Sequence, residues 1–139
     1  MNYATVADMV ARFGELEVMQ ITDRNQDNQI DHDVAEVALA DATAEINGYL
    51  GRYPLPFVEV PPILTRLCCD IARYRLCATN GVSITEEIER RYKIDVLKLL
   101  EGLAKGDVTL GIEADGDQVA SGDTVQFVNN KNRVFARDN

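Results

Sequence analysis

Residues 48–56 read Gly-Tyr-Leu-Gly-Arg-Tyr-Pro-Leu-Pro, and Ile-Ala-Arg-Tyr-Arg-Leu follows at 71–76. The first stretch closes a helical run at Tyr49, Leu50 and Gly51 and leaves it through Arg52 and Tyr53. All four prolines of the chain lie between Gly51 and Pro62, a segment that cannot be regular helix, because each proline removes a backbone donor and fixes φ. Pro61-Pro62 then suits the opening turn of another helix, where the missing N–H has no partner to lose. The segment spells helix, rigid exit, two aromatics and a second helix, and it carries no catalytic pattern.

Upstream, Val34, Ala38, Ala42, Ile46 and Tyr49 recur at spacings of four, four, four and three. Leu39 and Leu50 widen this stripe into an amphipathic helix of roughly 17 residues from Asp33. Nearer the start, Thr5 is placed as an N-cap with Asp8 as its reciprocal capping carboxylate. That helix is short and stops near Gly14, and residues 15–21 supply one or two further turns. Downstream, Ile63, Leu64, Leu67, Cys68, Ile71, Ala72, Tyr74, Arg75 and Ala78 trace a helix that Asn80-Gly81 ends. Ser83 or Thr85 caps the next one. Glu86, Glu87 and Glu89 stand in its first turns, where the helix dipole favours anions. Its buried stripe is expected at Ile88, Tyr92, Val96, Leu99 and Leu103, closed by Gly106. The predicted fold is mainly α: a small bundle of about four helices over residues 1–106, followed by an extended, partly β C-terminal arm over 107–139.

In the arm, Val108-Thr109-Leu110-Gly111-Ile112 and Thr124-Val125-Gln126-Phe127-Val128 are β-prone, with turns at 115–117 and 121–123. Too few apolar residues stand there for an independent core. A frayed hairpin and an arm that orders against another chain both fit, and the arm is preferred. In that reading Phe135 enters an apolar pocket, with Arg133 and Arg137 pairing at its rim.

Composition excludes several classes. At 139 residues, 46% apolar and 27% charged, the chain fits one globular domain rather than a disordered one. It shows no basic n-region and no run of the ~20 apolar residues a membrane span needs, so a soluble, non-secreted protein is expected. Three cysteines, Cys68 and Cys69 adjacent and Cys77 apart, read as reduced thiols buried in a helix, consistent with cytoplasmic synthesis. The net charge is −9, with −8 over residues 1–50, +2 over 51–106 and −3 over 107–139. Such a chain lacks the basic surface of a general nucleic-acid binder.

One constellation could carry chemistry. Asp23, Asn25, Asp27 and Asp31 occupy the first, third, fifth and ninth places of a Ca²⁺-loop pattern, and Ile30 the eighth. However, Asn28 replaces the glycine of the sixth place, and Val34 stands where the bidentate Glu belongs. An acidic connection whose Asp31 or Asp33 caps the following helix is the plainer reading. A calcium-binding helical interaction module is the alternative function. The single histidine, His32, has no nucleophile arranged with it, the cysteines lack zinc spacing, and no phosphate loop is present. Neither an enzyme nor a cofactor is expected.

The order of short motifs resembles the head–tail connector (adaptor, neck) proteins of Mu-like phages and prophages. The resemblance covers most of the chain: Tyr3, Phe13-Gly14, Thr22-Asp23 with the loop to Asp33, Ala38-Leu39-Ala40-Asp41-Ala42, Ile46, and Tyr49-Leu50 with Arg52-Tyr53, Pro54 and Pro56. It continues through Asp70 to Leu76, Arg91-Tyr92, and Gly106 to Gly111. It implies a virion neck protein, made in the host cytoplasm, that forms a homo-oligomeric ring of twelve subunits. The ring would bind the portal protein on one side and a neck stopper or tail-completion protein on the other, around passing DNA that it does not bind sequence-specifically. It further implies that the arm, through Val125, Phe127, Arg133, Phe135 and Arg137, contacts the portal or a neighbouring subunit.

Overall fold

The computed structural model describes residues 1–80, with Asn80 in its backbone only, and residues 84–111. Gly81, Ser83 and the arm residues Val125, Phe127, Arg133, Phe135 and Arg137 lie outside them. The described chain is mainly helical and contains five helices: α1 (Val6–Phe13), α2 (Glu15–Thr22), α3 (His32–Asn47), α4 (Pro62–Asn80) and α5 over 86–105. The fifth is one continuous rod in three parts, α-helical Glu86–Arg90, π-helical Arg91–Val96 and α-helical Leu97–Lys105.

Local chemistry sets most of the boundaries. The Thr5 side chain accepts from the Asp8 amide at 3.1 Å and Asp8 accepts from the Thr5 amide at 2.9 Å, closing the expected capping box. Gly14 at φ +90° separates α1 from α2, a conformation that side-chain-bearing residues rarely adopt. Asp31 caps α3 by accepting from the Val34 amide, and Thr85 caps α5 by accepting from the Ile88 amide. Asp33 stays exposed within the first turn of α3.

Helix α4 is the centre of the molecule. Residues 67–73 are buried without a break, Asp70 and Arg73 included, while α3 packs along one side and α2 and α5 along others. Buried thiols at Cys68, Cys69 and Cys77 fit this packing, and all three are free. Arg75 and Ala78, further along the helix, are exposed. In α3 the buried face centres on Ala35, Ala38, Leu39, Ala42, Thr43 and Ile46, and Val34 and Tyr49 flank it half-buried.

A departure from the expected stripe lies in α5. Leu99 was expected to face the core; Leu100 does so, fully buried, and Leu99 is half-buried. Steps of four from Ile88 through Tyr92 and Val96 to Leu100 precess by about 40° each on a regular helix of 3.6 residues per turn. The π turn absorbs that drift and keeps the four on one face.

The chain start and the proline segment are tied to the same body. The Tyr3 amide donates to Thr43 Oγ1 at 3.0 Å, its hydroxyl bonds Asn47, and its carbonyl accepts from Thr65 Oγ1 at 2.9 Å. Its ring tilts against Phe57, which in turn meets Tyr53, with centroids 6.0 and 6.3 Å apart. Among the described residues no helix is long and apolar enough to cross a membrane.

Candidate functional site

The Arg52-Tyr53 pair marked in the sequence governs how the chain leaves α5. A helix ends with carbonyls that have no amide left to accept from. Arg52 reaches across to α5 and supplies donors: Nε to the Ala104 carbonyl and Nη2 to the Lys105 carbonyl, each at 3.0 Å. A guanidinium there also sits at the negative end of the helix dipole. Gly106, at φ +88°, turns the chain directly beneath it, and a Cβ on Gly106 would stand 3.0 Å from Arg52 Cζ. Beyond the turn, the Val108 amide donates to the Gly102 carbonyl at 3.2 Å and the Leu110 amide to the Tyr53 hydroxyl at 3.2 Å. Val108 lies so close to α5 that a Cβ on Gly102 would meet its Cγ2 at 2.9 Å. Residues 107–110 are therefore laid against the helical body rather than paired as a strand, and the path toward residue 112 starts from a fixed place.

The 70–76 stretch of α4 organises the opposite side. Arg73 is buried over the Phe13 ring at 4.5 Å, and it donates to Glu17 at 2.5 Å and Glu87 at 3.4 Å. Burial works against its charge, and the two carboxylates outweigh burial, so its proton is held more tightly than usual. Its Nη1 has no partner among the described residues. Asp70 lies between Arg91 at 3.6 Å and Arg66 at 3.9 Å. Burial nonetheless dominates there and pushes its carboxyl upward. Arg75 donates to Glu45 at 2.7 Å and to the Tyr92 hydroxyl at 3.0 Å, while that hydroxyl donates to Glu45 at 2.6 Å. Tyr74 and Tyr92 stack at 4.4 Å. Burial first, and the bond to Glu45 second, push the Tyr92 phenol up to about 12. These arginines join α2, α3, α4 and α5 to one another, through contacts between residues distant in the chain. The signal that would have found them is Asp70 and Arg73 inside an otherwise apolar face.

The Asp-rich loop is organised around its own backbone. Asp23 accepts from the amides of Asp27 at 3.2 Å and Asn28 at 3.0 Å, and Asp27 accepts from the Gln29 amide at 3.1 Å. The Asn25 side-chain nitrogen, oriented as its neighbours require, donates to Asp23 and Asp27. Gln26 and Asn28 take left-handed conformations at φ 60° and 61°, the geometry asparagine tolerates in place of glycine. Asp31 is turned away to cap α3, and its amide donates to Thr22 Oγ1 at 3.2 Å. Among the described residues no group of three or more His, Cys, Asp or Glu side chains is gathered to hold a metal ion. His32 is exposed beside this loop, outside any nucleophilic arrangement.

Comparison with known proteins adds a lineage to this geometry. The family model described as Bacteriophage Mu, Gp36 matches residues 3–129. Gene product J of Escherichia phage Mu is 38% identical over 139 residues, which span 99% of this chain and 96% of that protein. Mu-like prophage FluMu protein gp36 of Haemophilus influenzae is 34% identical over 120 residues, 86% of this chain and 82% of that one. The family match takes in Val125 and Phe127 and ends before Arg133, Phe135 and Arg137.

Proposed function

The chain belongs to the Bacteriophage Mu Gp36 family, and on that premise we propose that it is a structural head–tail connector. In this reading copies of the chain form a ring that joins the portal to the next neck or tail component around the DNA channel. The role is architectural, with no reaction of its own. The observation that carries it is the fixed exit built by Arg52, Tyr53, Gly102 and Gly106. A subunit that must hand its C-terminal residues to a portal or a neighbour needs them to depart from one defined point. The helical body supplies the rest: charges tied between helices keep it rigid, and Leu16, Val37, Val58 and Ile94 stand exposed on separate elements. Charge placement is compatible with a conduit, since the −8 of residues 1–50 would repel phosphates and favour sliding over sticking.

The experiment is a pull-down of tagged protein from cells in which the phage or prophage is induced, with partners identified by mass spectrometry and particles imaged by negative stain. The full chain, Phe135→Ala and a chain ending at Gly111 are compared. Ending at Gly111 keeps Val108 and Leu110 on the body. Portal and ring-shaped particles with the full chain, and their loss in both variants, support the connector and assign docking to the arm. Portal retained by all three moves the contact onto the helical body. No portal or neck protein with the full chain refutes the reading.

A further inference from the structure

Helix α3 keeps one aliphatic side chain in water: Val37 is 62% exposed. It borders a groove between α3 and α4 that has Ala38 and Leu76 as its buried floor. Asp33 and Asp41 line the same groove, four residues to either side of Val37. Two arginines line it as well and are already engaged, Arg24 donating to Thr79 Oγ1 at 3.0 Å and Arg75 to Glu45 at 2.7 Å. Asp33 and Asp41 have no ion pair or side-chain hydrogen bond among the described residues. The charge left over in the groove is therefore negative, on both sides of an exposed aliphatic group. Such a surface suits a ligand with two cations flanking an apolar centre.

The end of this chain supplies that pattern as Arg133-Val134-Phe135-Ala136-Arg137. In an extended segment alternate side chains share a face, so Arg133, Phe135 and Arg137 project together, the arginines about 13 Å apart with the ring midway. On α3, Asp33 and Asp41 stand about 12 Å apart along the axis, with Val37 midway. The two sets have the same pitch and opposite charge. Reach favours the chain's own groove. Leu110 is held on Tyr53 just past the end of α3, about 20 Å along the helix from Val37. The 21 residues 112–132 intervene. A coil of that length has a root-mean-square span of about 25 Å, close to the distance at which a tethered ligand is most concentrated at its site.

We propose that in the free chain residues 133–137 lie extended in the α3–α4 groove of their own subunit, Phe135 against Val37 and the two arginines at Asp33 and Asp41. Exposed ion pairs add little affinity, so the ring over Val37 holds the segment and the arginines set its register. A partner that takes Phe135 must first lift it from the groove, so self-docking and capture compete. The contact stands on the groove and the chain's own end and does not depend on the connector reading.

Paramagnetic broadening in NMR tests it on the full chain. A spin label is carried on Ala136→Cys, a position the docked segment turns away from the groove, and the native thiols are buried. The Val37 methyl signals broaden well beyond those of Val58, an exposed site in the proline segment. Spin-labelled chain mixed with isotope-labelled chain that lacks the spin label shows no such broadening. Phe135→Ala lowers the docked population about tenfold, as loss of a central aromatic anchor does. Asp33→Arg with Asp41→Arg abolishes docking, and adding Arg133→Asp with Arg137→Asp restores it. Equal broadening at Val37 and Val58 overturns the proposal. So does broadening that Phe135→Ala and the reversed aspartates leave unchanged, or reversal that the second pair does not rescue. Broadening of Val37 in the mixed sample alone gives the groove to a second copy and overturns it too.

Discussion

Arg73 offers the sharpest test of how this body is held together. Its side chain is 9% exposed, whereas those of its partners Glu17 and Glu87 are 33% and 45% exposed. The two ends of the interaction therefore respond differently to loss. In Arg73→Met the stem volume over Phe13 is kept, the cost of burying a guanidinium disappears, and both glutamates recover water. The lost charge-assisted bond to Glu17, about 1.5–3 kcal/mol, is largely offset by that relief, and a net loss of about 1 kcal/mol is expected. In Glu17→Ala the guanidinium stays buried, with Nη1 already lacking a partner among the described residues and the 3.4 Å contact to Glu87 as its remaining ion pair, beside the Phe13 ring. Breaking a buried pair from that side costs about 3 kcal/mol. The double variant returns to near the Arg73→Met value, a coupling of about 3 kcal/mol. Urea unfolding followed by circular dichroism, read as midpoint shifts at constant slope, measures all three. Arg73→Met costing more than Glu17→Ala, or the two costs simply adding, would refute the reasoning.

Other expectations follow from single contacts. Arg52→Ala removes both donors from the end of α5 and lowers stability by about 1–2 kcal/mol in the same unfolding assay, and it speeds exchange of the Val108 and Leu110 amides. Asp31→Ala removes the α3 cap and costs about 1 kcal/mol, while Asp33→Ala stays within about 0.5 kcal/mol, which thermal melts distinguish. Asp23 is held below the usual carboxylate range: desolvation is the largest single influence and acts upward, but the amides of Asn28, Asp27 and Gln26, with the Asp27 side chain, together outweigh it. Its contribution is therefore present above about pH 4 and lost as pH falls through the lowered value, so Asp23→Asn makes the acid limb of stability shallower. Tyr92 carries the opposite sign. Its raised phenol contributes fully below pH 10 and loses that contribution by about pH 12, so Tyr92→Phe flattens the alkaline limb over that range.

The helix ends were readable because each rests on a few neighbouring residues: Thr5 with Asp8, Gly14, Pro62 and Thr85. The π turn was not, since steps of four from Ile88 to Val96 continue equally well to Leu99 or Leu100, and only packing against α4 selects between them. Arg52 was recognisable as part of a motif, but its role joins residues 52 and 53 positions apart, a distance no local pattern conveys. The burial of Arg73 was not legible for a related reason. Charge is normally left in water, and Arg73 departs from that rule because carboxylates from α2 and α5 converge on it. For the Asp-rich loop the plainer reading matched what forms locally, with Asp31 serving the helix and Asp23 the loop's own amides.

The seclusion of the thiols in α4 makes the chain ready for site-specific chemistry. Cys68, Cys69 and Cys77 are each at most 1% exposed, and burial pushes all three thiols up, Cys69 to about 12. Almost none of the nucleophilic thiolate exists at neutral pH, and what exists is out of a reagent's reach. A cysteine introduced at Val58, which is fully exposed, would therefore take a maleimide dye or spin label by itself, with the native cysteines left in place. If copies assemble into the proposed ring, labels on neighbouring copies would act as rulers, reporting spacing and symmetry inside it while leaving the packed interior untouched.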